Sequence, residues 1–122
     1  MRIDSHQHFW QFDPVRDAWI DSSMQKIATD FLPKDLKPLL EQNQMDGCVA
    51  VQADQSEVEN QFLLDLAEQN SFVKGVVGWV DLGNDKLSDR LEFFSKNPLF
   101  KGVRHVLQAE KEGFMLQDSF LR

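Results

Sequence analysis

The sequence predicts an α/β fold built on a parallel sheet, and three observations carry that prediction. Short β-branched apolar runs alternate with segments of helical period, which is the rhythm of βαβ units. The second, third and fourth runs are almost continuously apolar, as strands covered on both faces should be. The segments between them carry readable helix start and stop signals. Such a series fits an open doubly wound sheet or a (β/α)8 barrel. A barrel usually needs about 250 residues, whereas this chain has 122.

The first expected strand covers residues 2–8 and the second residues 47–53 (GCVAVQA). The third covers 73–82 (VKGVVGWVDL) and the fourth 100–107 (FKGVRHVL). A helix is expected over 33–45, with Leu36, Leu39, Leu40 and Met45 inward. Pro38 suits that helix only if it begins near Asp35, where a first-turn proline is tolerated. Ser56 and Glu59 form a capping-box signature ahead of Val58, Phe62, Leu63, Leu66 and Ala67, and Asn70-Ser71 closes the helix. Asn84 or Asp85 caps the next one, with the stripe Leu87, Leu91 and Phe94 and a stop at Asn97-Pro98. A last helix opens near Phe114 to Leu116.

Composition narrows the function. Ten Phe and three Trp supply a core for one domain, residues 1–122. Thirteen basic and 20 acidic residues give a net charge of −7, which argues against nucleic acid or an anionic membrane as partner. The lone Cys48 excludes an internal disulfide and reads as inert packing. Without a long apolar run or a leader pattern, the expected compartment is the cytoplasm. There is no phosphate-binding glycine loop, no G-x-S-x-G elbow and no cysteine pair for a metal.

In either fold, ligands bind at the carboxyl ends of the strands. Asp4, His6 and His8 share one face of the first strand, and two imidazoles so spaced can converge on one cation. They can equally be exposed residues following a short edge strand. Gln52, inside an apolar run, needs a hydrogen-bond partner, which is either neighbouring backbone or substrate. Trp79 is a pocket wall or simple core, and Asp81 starts a helix-capping loop or sits at the strand end. Arg104 puts a permanent charge into an apolar strand, either to clamp a carboxylate or carbonyl oxygen or to pair with Asp81. Alternation turns His105 the opposite way unless the strand ends there. Residues 9–32 form a long aromatic connection. Its Trp10, Phe12 and Trp19 either cover a small polar substrate or make a satellite cluster under a structural loop.

The opening Ile3-Asp4-Ser5-His6-Gln7-His8-Phe9-Trp10 resembles the first strand of the amidohydrolase-related family, in particular its sugar-lactonase branch of L-fuconolactonase and L-rhamnono-lactonase type. Val51-Gln52-Ala53, the run from Gly75 to Leu82, and Gly102-Val103-Arg104-His105 are similar to that family in the same order. The resemblance covers nearly the whole chain. It implies a (β/α)8 barrel, here about four βα units, that opens a lactone at its strand ends. It implies a metal position at His6 and His8 and a substrate-holding position at Arg104; together with the strand-end reading, Arg104 and His105 are the catalytic candidates, and Gln52, Trp79, Trp10 and Arg104 the substrate contacts. Not every member of the branch needs a metal. With no lysine at the end of the fourth strand, one divalent ion (zinc first) or none is expected rather than a bridged pair.

The same resemblance implies a further His and a general-base Asp on later strands, which this sequence does not reach. Asp4, Asp54 or Asp81 would have to substitute for that base. The first and last strands of a half barrel would also be open edges, so self-association or a missing C-terminal half is expected. Two other functions compete with sugar-lactone hydrolysis. One is a TatD-like or PHP-like metal-dependent phosphoesterase, which the charge of −7 disfavours. The other is a non-catalytic, oligomerising half barrel that binds a small anion through Arg104.

Overall fold

A computed structural model describes residues 1–121. Four strands, β1 (Ile3–Gln7), β2 (Gly47–Val51), β3 (Val73–Gly78) and β4 (Phe100–Val103), form one parallel sheet in the order β1-β2-β3-β4. Helices α1 (Pro33–Gln42), α2 (Glu57–Gln69) and α3 (Leu87–Ser95) are the crossovers. Chain order equals sheet order, with no reversal of direction along the sheet. A doubly wound fold needs such a reversal, so the topology is the wall of a barrel, here a half barrel. β1 and β4 are its two edges.

The core lies where the helices meet the strands. Leu40 of α1, Leu63, Leu64 and Ala67 of α2, and Phe94 of α3 join Cys48, Ala50, Val73 and Val76 in one buried cluster. Burial pushes the Cys48 thiol up to about 11, so it stays a neutral packing group.

Local chemistry sets the starts of α1 and α2, whereas α3 starts after Lys86 with no side-chain cap, so neither Asn84 nor Asp85 is its cap residue. The Ser56 hydroxyl accepts from the Glu59 N–H at 3.3 Å, as its capping signature predicts. At α1 the Asp35 carboxylate accepts from the Leu32 N–H at 3.0 Å, with Pro33 as the first helical residue. The helix therefore starts two residues before Asp35, and Pro38 lies inside it rather than in its first turn. It also stops at Gln42, before Met45, because Gln44 adopts a positive φ of 55°.

Two expected inward residues point out. Leu39 is 54% and Val58 80% exposed, because the buried arcs run through Pro33 and Leu40 on α1 and through Asn60, Leu63, Leu64 and Ala67 on α2. The third and fourth strands are also shorter than expected. β3 ends at Gly78 because Asn60, fully buried on α2, takes both backbone polar groups of the next residue, Trp79. Its Oδ1 accepts from the Trp79 N–H at 2.7 Å and its Nδ2 donates to the Trp79 carbonyl at 2.6 Å. β4 ends at Val103, although the Arg104 N–H still donates to the Gly78 carbonyl at 2.9 Å. The last elements are a 3-10 turn, Phe114–Leu116, and a short helix α4, Asp118–Leu121.

Candidate active site

The carboxyl ends of the strands bring three of the sequence candidates together. His6 Nε2 lies 3.1 Å from His8 Nε2, with the rings edge-on at 75°. His8 Nδ1 is 2.9 Å from the Val51 carbonyl, which only accepts, so this nitrogen carries the proton and Nε2 keeps its lone pair. Burial holds His8 below the usual histidine range, which favours the neutral ring that a metal needs. Arg104 brings NH1 to 3.4 Å from His6 Nε2.

Gln52 fixes that arginine. Its carbonyl accepts from Arg104 NH2 at 2.8 Å, and its Nε2 donates to the Arg104 carbonyl at 3.2 Å. Fully buried, Gln52 thus finds its partner in backbone, while its Oε1 and Arg104 Nε stay without one among the described residues. Asp81 is exposed and accepts from the Gly83 N–H at 3.0 Å, so it shapes a turn and does not pair with Arg104. Asp4 spends its oxygens on the His6 N–H and on the Gln7 side-chain amide.

A pocket of about 230 Å³ opens beside this group, with His8, Arg104 and Trp10 in its wall. The 9–32 connection closes over it as a strap. Trp10 and Phe31 exchange two backbone hydrogen bonds of 2.9 Å and stack tilted rings 4.9 Å apart. Trp19 and Ile20 of the strap also line the pocket, and the buried Trp10 Nε1 has no partner among the described residues. Arg16 and Asp17 line it as well, tied to each other by bonds of 2.9 and 2.7 Å.

Trp79 and His105 stand elsewhere. The Trp79 indole N–H donates to His105 Nδ1 at 3.0 Å, while His105 Nε2 meets Glu110 at 2.8 Å and the ring stacks on Phe114. Both nitrogens of His105 are engaged inside this cluster, and neither Trp79 nor His105 lines the pocket.

Sequence reasoning missed Glu59. The capping signature accounted for it as a helix-start residue, yet its carboxylate lines the pocket and the residue is 5% exposed. Desolvation pushes it up to about 7, with the Asp54 and Asp17 charges adding and the Ala53 N–H and Arg16 opposing. The folded state therefore holds more protons than the unfolded chain from about pH 4.5 to 7, and this part of the stability falls as pH rises through that window. Glu59→Gln should stabilise the protein at pH 8 by on the order of 2 kcal/mol and do little below pH 4. Urea titrations at the two pH values check this, and an equal effect at both would contradict it.

Two imidazole nitrogens sharing a tetrahedral zinc at about 2.0–2.1 Å sit roughly 3.3 Å apart, close to the observed 3.1 Å. His6 and His8 therefore fit as two ligands. Among the described residues no group of three or more His, Cys, Asp or Glu is placed to hold a metal, so further ligands would have to come from elsewhere.

Comparison with known proteins places this geometry in a family. The amidohydrolase family profile matches residues 3–120. The chain is 37% identical over 120 residues to an L-fucono-1,5-lactonase of Burkholderia ambifaria, covering 98% of this chain and 41% of that protein. It is 39% identical over 112 residues to the L-fucono-1,5-lactonase of Burkholderia multivorans, covering 92% and 38%. The crystal structure of a Burkholderia multivorans amidohydrolase with bound zinc superimposes with a TM-score of 0.93 at 37% identity, over 98% of this chain and 43% of that one. The chain thus spans about two fifths of the length of the curated relatives it matches. No helix among the described residues is long and apolar enough to cross a membrane. With its profile match running almost from end to end on a half-barrel wall, the chain belongs to the amidohydrolase family.

Proposed function

We propose that the chain supplies the N-terminal half of a barrel hydrolase that opens a sugar lactone, of L-fucono-1,5-lactone type, by attack of water on the ring carbonyl. The observation that carries this reading is the meeting of His6 Nε2, His8 Nε2 and the Arg104 guanidinium at one mouth of parallel strands. Support comes from the two lactonase relatives that match nearly the whole chain.

The residues divide the work. Arg104 faces the carbonyl oxygen and stabilises the negative charge that develops there, in a position that Gln52 has already fixed. Water adds to the carbonyl carbon, the bond from that carbon to the ring oxygen breaks, and the ring oxygen leaves as a hydroxyl after taking a proton. The product is a hydroxy acid that releases one proton. His6 and His8 would hold a divalent ion, zinc by preference, as two of its ligands, and that ion would supply Lewis acidity and a more acidic water. Trp10 walls the substrate from the strap side.

The base that takes the water's proton is assigned to the part of the barrel this chain does not contain. Asp4 and Asp81 are committed to local hydrogen bonds, and Asp54, although in the pocket, accepts from the Ser56 hydroxyl at 2.7 Å. A second polypeptide segment or a second copy must also cover the β1 and β4 edges.

Proton release from six-carbon aldonolactones tests the reading. The completed barrel, meaning this chain with the segment that supplies the remaining strands, should open them with at most one divalent ion per chain by elemental analysis. The 122 residues alone should be inactive or very slow. Full turnover by the chain alone would show a base among these residues, and two bound ions would favour a phosphoesterase.

A further inference from the structure

We infer that Glu59 and the indole N–H of Trp10 form a hydroxyl-recognising subsite beside the His6–His8–Arg104 group, one that selects among sugar lactones by the configuration of a ring hydroxyl. The inference rests on the lactonase reading and deepens it.

Glu59 is hard to explain as a structural residue. In a reciprocal capping box its carboxylate would return to the Ser56 N–H, but that N–H donates to the Asp54 carbonyl at 3.0 Å. α2 is capped by the Ser56 hydroxyl whether or not residue 59 is acidic. The carboxylate reaches instead toward the Ala53 N–H, at a long 3.4 Å, and its second oxygen accepts no hydrogen bond among the described residues. A carboxyl group on a residue this buried, with one long bond and no ion pair of its own, is left with capacity to accept from a ligand in the pocket. Arg16 offsets that burial only through space, because that guanidinium spends its hydrogen bonds on Asp17 and on the Gln11 carbonyl at 2.5 Å.

Trp10 presents the complementary group. Trp10 lines the same pocket, its Nε1 is a buried donor without a partner among the described residues, and the two-bond bridge to Phe31 holds the residue in place. An unpaired indole donor and a carboxyl group on two residues lining one pocket, shared with His8 and Arg104, match neighbouring hydroxyls on a ring whose carbonyl lies against Arg104. Trp19 and Ile20 add apolar surface for the C–H face of such a ring. A site built to hydrogen-bond a hydroxyl rejects an analogue that misplaces it much more strongly than an apolar pocket could.

The test uses the completed barrel and a set of six-carbon 1,5-aldonolactones that differ in configuration at single ring positions. The parent should separate at least one epimeric pair by about tenfold or more in kcat/KM. Glu59→Gln, and separately Trp10→Phe, should bring that pair to within about threefold. A merely structural role, or partial misfolding, lowers every lactone by the same factor and leaves the ratios in place. Unchanged ratios in both variants would overturn the inference, as would a parent indifferent to every epimer. If the parent opens no lactone at all, the lactonase reading fails and this inference falls with it, whereas ratios that persist on an active enzyme remove only the inference.

Discussion

Arg104→Met in the completed barrel is expected to lower kcat for sugar-lactone opening by about 10²–10³-fold, the usual loss when one donor to a developing oxyanion is removed. The expectation follows from how the side chain is held. Its peptide N–H is bonded to Gly78, its carbonyl to the Gln52 side chain, and NH2 to the Gln52 carbonyl at 2.8 Å. NH1 is left to reach toward His6 Nε2. A cation so fixed needs no reorganisation when charge develops, so its loss should fall on kcat more than on KM. Arg104→Lys restores the charge but not the fork, and should recover about tenfold at most. Stability should change little, since the side chain makes one firm hydrogen bond and Nε has none to lose. Steady-state kinetics on both variants check this. A raised KM with unchanged kcat would make Arg104 a binding residue only.

Gly78→Ala is expected to destabilise the fold by about 3 kcal/mol, the sum of overpacking and a disturbed buried polar pair. A Cβ at this position would stand 2.6 Å from Phe100 Cε2 and 2.8 Å from Asn60 Cγ, and would collide with Asn60 Oδ1. That oxygen accepts from the Trp79 N–H at 2.7 Å, so the clash pushes apart the clamp that turns the chain off β3. Phe100 lies on β4 and stacks on Phe94 of α3, with ring centroids 5.4 Å apart, so it cannot retreat without opening the core. Urea unfolding measures the effect. A loss under about 1 kcal/mol would mean that Asn60 moves aside freely.

Much of this architecture was legible in the sequence because local periodicity and global topology agree. The four apolar runs, the capping serine and the order of the helices all follow from near neighbours in the chain. His6, His8 and Arg104 were legible as candidates for the same reason: polar groups at the ends of apolar runs stand out. What escaped depends on contacts between distant residues. Nothing near Trp79 announces that Asn60, on the preceding helix, will take its backbone groups and end β3 early. Trp79 and His105 each look like site residues in isolation, and only the fold shows that they bond to each other. Glu59 was hidden by its own motif, since Ser-x-x-Glu already had a sufficient explanation as a cap. The pocket-lining carboxyl could have been suspected only by asking which way the helix start faces. Leu39 and Val58 look apolar and inward, but each lies just off its helix's buried arc.

The most direct test of the strand-end site is the structure of the completed barrel with the hydroxy-acid product bound. The account predicts a carboxylate oxygen within about 3 Å of the Arg104 guanidinium, next to the His6 and His8 rings and under Trp10. A product seated at the Trp79–His105–Glu110 cluster, with Arg104 still turned toward an untouched His6, would contradict it.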